Sequence, residues 1–310
     1  MLSGSRGDRG MDVIRTSSES PTHLVWKAGQ RRLTLGQPTR LAGVVNITPD
    51  SFYDGGRYLD PELAVGQALK LAEEGADLID LGAESTRPGA QPTPLDEELR
   101  RLVPVVQALR PQLDIPLMVD TYKSPVARAV LEAGADVIND VSAFRLDAEM
   151  PQVIARRGAG AVLMHMRGNP RLMQKIPPSP DIWEEIELYF EQALATARKF
   201  KIQRDRIVLD PGIGFGKTIA DNLTVLNRLP RLGKFRLPVL VGPSRKSFIG
   251  KILGLEADER LWGTAASVAA AALGGAHIVR VHDVLEMKQV LAIADSIAAE
   301  TPLGVCAAES

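Results

Sequence analysis

The chain has 310 residues, 45% of them apolar and 24% charged, a mixture that fits a folded globular protein and excludes disordered and fibrous classes. Lys and Arg number 37 against 38 Asp and Glu, and a net charge of -1 gives no sign of a nucleic-acid partner or a polybasic membrane anchor. The single cysteine, Cys306, can build neither a disulfide framework nor a cysteine metal site, and a cytoplasmic location is expected.

Residues 1–20 are polar, lack the apolar centre of a secretory signal and read as a disordered tail. Residues 23–36 read as a short hairpin around Ala28-Gly29-Gln30. From there to about residue 300, short apolar runs alternate with segments of helical periodicity. The runs are Leu41–Ile47, Asp77–Leu81, Pro116–Val119, Asp136–Ile138, Ala161–Met164, Arg206–Leu209, Pro238–Val241 and His277–Val281. The helices predicted after them span about 61–75, 95–110, 124–133, 147–157, 183–201, 219–229, 258–273 and 284–299. Near-continuous apolar runs separated by helices require parallel strands covered on both faces. Eight evenly spaced units favour an α/β fold, a single-domain (β/α)8 TIM barrel over residues 21–300, rather than a doubly wound open sheet. Residues 301–310 form a C-terminal tail. The most apolar stretch, Ala265 to Val281, is broken by Gly274, Gly275, His277 and Arg280 and reads as a buried helix and strand, so no membrane span is expected.

In a parallel barrel, chemistry gathers where the strands end. The first run ends in Asn46, the second in Gly82 before Glu84-Ser85-Thr86-Arg87, and the third in Asp120 with Lys123 nearby. The fourth ends in Asn139-Asp140, the fifth in His165, the sixth in Asp210. The seventh leads to Ser244-Arg245-Lys246-Ser247, and the eighth carries Arg280, His282 and Asp283. Asp and Asn favour turns, but turn chemistry does not explain Arg, Lys and His at every other end. Lys246, Arg280, His282 and Arg87 are suited to an anion such as a diphosphate. Asp120, Asn139 and Asp210 are suited to a heterocycle with N–H donors, because a buried carboxylate needs paired donors. The implied substrate is a polar aromatic ring joined to a phosphate.

The segment Asp210–Thr218 (DPGIGFGKT) ends like a P-loop, but Pro211 stands where the first glycine is required. Its glycines instead let backbone approach a flat ligand, with Phe215 as an apolar wall. Two long connections, Asn46–Arg57 and Gly82–Pro94, start at the same rim and read as specificity elements. The histidines His23, His165, His277 and His282 lack zinc spacing. Hard Mg²⁺ would need only Asn46 or a loop carboxylate, with diphosphate oxygens and waters.

Together the stretches GVVNITPDSFYDGG, DLGAESTRPGA, VDTYK, INDVSA, LMHMRGNP, DPGIGFGKT, GPSRKSFIG and HIVRVHDV resemble the dihydropteroate synthase family, pterin-binding barrels of folate biosynthesis and targets of sulfonamides. The resemblance runs in order from about residue 41 to 290. It implies a transferase that condenses 6-hydroxymethyl-7,8-dihydropterin diphosphate with p-aminobenzoate, sulfonamides competing. It places Asp120, Asn139, Asp210 and Lys246 on the pterin ring, with Met164, Phe215 and Gly242 around it. Arg280, His282 and Asn46 meet the diphosphate, Asn46 with Mg²⁺. Thr86, Arg87, Pro88, Lys246 and Ser247 shape the p-aminobenzoate site, and Asp50 belongs to the first loop. Asp120 and Asp50 stabilise a pterin methylene cation, with Lys246 and Arg280 in the catalytic set, and a homodimer is implied. Tyr53, Ala83 and Pro243 depart from the common pattern without removing any of these side chains. Two alternatives share the pocket logic: a methyltetrahydrofolate–corrinoid methyltransferase and a non-catalytic pterin-binding paralogue.

Overall fold

Eight short strands, too apolar to leave a face in water, surround one axis in the computed structural model, which describes residues 24–48, 61–84, 91–168, 173 and 176–303. A two-stranded hairpin, β1 (Leu24–Ala28) and β2 (Arg31–Leu35), precedes them. The chain then alternates β3 (Arg40–Asn46), α1 (Pro61–Glu73), β4 (Leu78–Gly82), α2 (Leu95–Leu109), β5 (Leu117–Asp120), α3 (Ser124–Ala133), β6 (Val137–Asp140) and α4 (Met150–Arg157). It continues through β7 (Gly160–Met164), α5 (Ile182–Lys199), β8 (Ile207–Asp210), α6 (Ile219–Asn227), β9 (Leu240–Val241), α7 (Ser247–Leu253), α8 (Leu261–Leu273), β10 (Ile278–Val281) and α9 (Val284–Ala299). All eight strands of the large sheet pair in parallel, in the order β8-β7-β6-β5-β4-β3-β10-β9. A Leu209–Val239 bridge, with the Leu209 N–H donating to the Pro238 carbonyl at 2.9 Å, joins the two ends into a barrel.

The period-two alternation of strand side chains divides the barrel. Outward residues such as Leu41, Ile79, Val119, Leu163, Leu209 and Val279 pack under the helices in the main apolar core. Inward residues form a floor to which each strand contributes one side chain: Ala42, Leu78, Met118, Val137, Val162, Val208, Leu240 and Ile278. The hairpin closes this floor from below with Trp26, Ala28 and Leu35, all fully buried. The Trp26 indole N–H reaches the Arg206 carbonyl at 3.0 Å, and Arg206 donates to the Gly29 carbonyl at 3.1 Å.

Two predicted helices differ from those observed. The helix expected over 147–157 starts at Met150, because Asp147 is spent on a turn, its carboxylate accepting from the Ser124 and Glu149 N–H groups at 2.7 and 2.9 Å. The helix expected over 258–273 is preceded by α7, whose seven residues give fewer than two turns and so little periodicity to read. The expected N-terminal tail, Cys306, Asp50, Thr86, Arg87 and Pro88 lie outside the described residues. No helix among the described residues is long and apolar enough to cross a membrane.

Candidate active site

Two residues above the apolar floor, the same inward columns turn polar. Leu78 is followed inward by Asp80, Met118 by Asp120, Val137 by Asn139, Val208 by Asp210 and Ile278 by Arg280. Strand register sets several of them side by side. Asn46 pairs with Gly82, Gly82 with Asp120, and Asp120 with Asn139, so four consecutive strands meet at one level. Gly82 leaves this row open: a Cβ there would lie 3.7 Å from that of Asp120 and 3.9 Å from the Asn46 Oδ1. On the opposite wall Met164 is in register with Asp210.

Arg280 sits between two carboxylates, its Nε donating to Asp80 and its Nη2 to Asp120 at 3.5 Å. Burial pushes the Asp120 carboxyl up to about 8, with the Asp80 charge adding to the push and Arg280 opposing it. Asp80 is raised as well, by its complete burial. Asp210 rises to about 6 through burial, held back by the Gly212 N–H, which donates to its Oδ1 at 2.7 Å. Lys246 is brought down to about 8 by burial and then by the Arg280 charge; its ammonium lies 4.3 Å above the Phe215 ring. His282 falls to about 3, from burial first and Arg280 second, and is therefore a neutral imidazole. Its Nδ1 lies 2.9 Å from the Ser244 hydroxyl. Asn139 is buried and its Oδ1 has no partner among the described residues, an acceptor left for a ligand.

The connection after β8 folds back on itself. At Gly212, with φ +69°, a Cβ would collide with the His165 carbonyl, so only glycine fits. Lys217 riveted beneath it donates to the Gly212 carbonyl at 2.8 Å and lies 2.8 Å from His165 Nδ1. Burial lowers Lys217 to about 7 and, with the Lys217 charge beside it, holds His165 well below its ordinary value. This rivet carries Phe215 into an apolar patch with Val141, Met164, Met166 and Met173. Beside it opens a cavity of about 450 Å³, lined by Gly214, Gly216, Lys217, Ser247, Phe248 and Lys251 among others. Among the described residues no group of three or more His, Cys, Asp or Glu side chains is arranged to hold a metal.

A buried row of acceptors, a cation between carboxylates and an adjoining cavity define a site for a polar ring bearing an anion. The model of the family described as "Pterin binding enzyme" matches residues 42–282. The chain belongs to this family. It is 46% identical over 270 residues to the dihydropteroate synthase of Synechocystis sp., covering 87% of this chain and 93% of that protein. It is similar to the dihydropteroate synthase of Xanthomonas albilineans solved with 4-aminobenzoic acid, with a TM-score of 0.84, 43% identity, and coverage of 90% of this chain and 99% of that one. The Yersinia pestis enzyme solved with a sulfonamide drug superimposes with a TM-score of 0.83 at 39% identity, covering 89% and 100% of the two chains.

Within this pterin-binding barrel, Asn46, Asp120, Asn139, Asp210, Lys246 and Arg280 gather at the mouth. Met164 and Phe215 meet in the apolar patch, and Ser247 opens α7 on the cavity wall. Gly242 follows β9, where a Cβ would lie 3.6 Å from the Arg280 side chain. One sequence-based expectation changes. Arg280 does not stand apart with an anion-binding half, because Asp80 and Asp120 hold it among the carboxylates. Burial keeps His282 a neutral imidazole, which can still meet an anion as a hydrogen-bond donor. Two further residues escaped notice. Asp80 was hidden inside LIDLG, where only counting inward positions from Leu78 reveals it. Lys217 was hidden in a failed P-loop pattern, and its burial is a tertiary fact.

Proposed function

We propose that this chain condenses 6-hydroxymethyl-7,8-dihydropterin diphosphate with p-aminobenzoate to give 7,8-dihydropteroate and diphosphate, as a transferase of folate synthesis. The observation that supports this best is the acceptor set at the barrel mouth. The unpartnered Asn139 Oδ1 and the Asp210 carboxylate suit the ring N–H and exocyclic amine of a pterin. Asp120 lies in the same row, and Lys246 and Arg280 carry the positive charge an anionic leaving group needs.

The reaction breaks the methylene C–O bond, and the electron pair leaves with diphosphate. Arg280 and Lys246 offset the charge of the departing anion, and neutral His282 meets it as a hydrogen-bond donor. Asp120 stabilises the methylene cation as a carboxylate, the form that the developing positive charge beside it favours over its protonated resting state, and the cation's charge spreads into the ring. The amine lone pair of p-aminobenzoate then forms the C–N bond, and one proton leaves the nitrogen. An arylamine is already unprotonated at pH 7, so no strong base is required. The cavity beside Ser247 is the place for the arylamine. By resemblance Asp50 joins Asp120, and Thr86, Arg87 and Pro88 join Ser247.

The donors present fit Mg²⁺. Asn46 offers a hard amide oxygen at the end of β3, in the strand-tip row that runs through Gly82 to Asp120. When bound, the ion would neutralise diphosphate charge. The low cysteine content suits a cytoplasmic enzyme. Exposed Trp262 and Leu273 on α8, with Leu285, Ile293 and Ile297 on α9, suit a homodimer surface.

Incubating the protein with both substrates and Mg²⁺ should yield dihydropteroate and diphosphate in equal amounts, with sulfonamides competing against p-aminobenzoate. EDTA should stop turnover and added Mg²⁺ restore it. Pterin binding without turnover would instead indicate a non-catalytic paralogue. Light scattering should give twice the 33.5 kDa of one chain.

A further inference from the structure

Between β9 and α7 the chain turns through residues 243–246 before α7 begins at Ser247, and Arg245 in that turn is left-handed, with φ +57°. A residue with a side chain keeps that conformation only where its surroundings hold it. Here both of its backbone polar groups are held from one helix. The Arg245 N–H donates to the Thr264 hydroxyl at 3.0 Å, and the Arg245 carbonyl accepts from Arg260 Nη1 at 3.0 Å. Arg260 immediately precedes α8, and Thr264, fully buried, lies in its first turn. The Arg245 guanidinium is taken separately, by Asp283 ahead of α9.

Arg260 also spans α7. Its Nε and Nη2 donate to the Leu255 carbonyl, beyond the end of α7, at 3.0 and 2.9 Å, while Nη1 holds the Arg245 carbonyl ahead of its start. Between the two the guanidinium lies against Gly250, where a Cβ would collide with it. Packing α7 on α8 needs none of these bonds. A Cβ at Gly263 would collide with Ile249, so the two helices already meet side chain against backbone. What the bonds add is a fixed Arg245 backbone, and with it the direction in which the next residue, Lys246, leaves the turn. The Lys246 stem then runs past Gly214, where a Cβ would lie 3.1 Å from its Cδ, and its ammonium ends 4.3 Å above the Phe215 ring.

We propose that Arg260 and Thr264 are positioning residues for Lys246. From a helix outside the ring of strand tips, they set where the charge that offsets the departing diphosphate stands. This rests on the function proposed above.

The test compares two substitutions of Thr264 in the intact protein. Thr264→Val keeps the shape of the side chain but removes the acceptor of the Arg245 N–H; Thr264→Ser loses a methyl group but keeps that acceptor. Thr264→Val should lower kcat/KM for the pterin diphosphate tenfold or more, and Thr264→Ser should stay within twofold of wild type. The bare pterin alcohol, titrated by calorimetry, should bind both variants within threefold of wild type, because Asp120, Asn139 and Asp210 stand on other strands. Arg260→Lys keeps the charge, but one ammonium cannot span both carbonyls, so it should behave as Thr264→Val does. If Thr264→Val does not fold, Arg260→Lys decides. Role by packing alone predicts the reverse order, with Thr264→Ser the worse of the two. That order, equal losses in both, or no loss in Thr264→Val overturns the inference and leaves the proposed function intact. So does a loss of pterin alcohol affinity as large as the loss in kcat/KM. An inactive wild-type protein in the same assay would overturn both.

Discussion

The charges of Asp210 and Lys246 act on each other at the barrel mouth, and their proton affinities are moved towards neutrality from opposite sides. Asp210, pushed up to about 6 by burial, accepts ring donors fully only as a carboxylate. Lys246, brought down to about 8 by burial, offsets a leaving anion only while protonated. Binding of the pterin diphosphate to the free protein should therefore weaken below about pH 6 and again above about pH 8. Calorimetric titrations across that range check this, and Lys246→Arg should keep the acid limb while removing the alkaline one. Asp210→Ala should weaken binding of the bare pterin alcohol by about 3 kcal/mol, since it strands two donors in a dry pocket. Titration calorimetry reads that loss without involving diphosphate. The same burial works against stability. Asp120 moves from 3.8 to about 8 on folding, so across that interval the folded chain keeps a proton that the unfolded chain has released. Stability held below the unfolded value is therefore lost as pH rises through the folded one. Melting temperature in the empty wild type should fall between about pH 5 and pH 8, and Asp120→Asn should flatten that fall.

Each barrel strand has one task at its base and another at its tip. The inward floor from Ala42 to Ile278 was legible as a run of apolar residues, and the polar tips Asp120, Asn139, Asp210 and Arg280 were legible as interruptions of those runs. Asp80 was not, because LIDLG reads as an ordinary buried strand until the pleat is counted inward from Leu78. The state of His282 was not legible either, since neutrality depends on Arg280 and on burial contributed by distant segments. α7 escaped because seven residues give no sustained period. The hairpin was legible, but its role as the barrel's lower plug was not, as nothing local ties Trp26 to Arg206 across 180 residues. Trp26→Ala should destabilise the fold by about 3–5 kcal/mol, the usual cost of emptying a buried Trp site. It should leave pterin affinity per folded molecule unchanged, because floor and mouth are separate layers. Chemical denaturation paired with calorimetry tests both halves of that statement.

For the whole molecule, the order of the two substrates follows from which walls belong to the protein. The proposed pterin pocket is made by strand tips that the closed sheet fixes relative to one another, from Asn46 round to Asp210 and Arg280. The proposed arylamine place is different. The cavity beside Ser247 supplies one side, but the amine must lie against the pterin methylene for the C–N bond to form. Part of the second pocket is therefore the first substrate. In the empty protein a benzoate would face an open mouth instead of a ring, and a ligand of so few atoms has little contact energy with which to offset its lost freedom. The pterin should bind the free protein and raise its melting temperature, by about 2.7 kcal/mol of stabilisation at a hundred times its Kd. p-Aminobenzoate should show negligible binding to the free protein and measurable binding once pterin, diphosphate and Mg²⁺ are present. Calorimetry in the two orders of addition decides it: micromolar affinity of p-aminobenzoate for the empty protein would mean that the protein alone completes the second pocket, and the ordered scheme would fail.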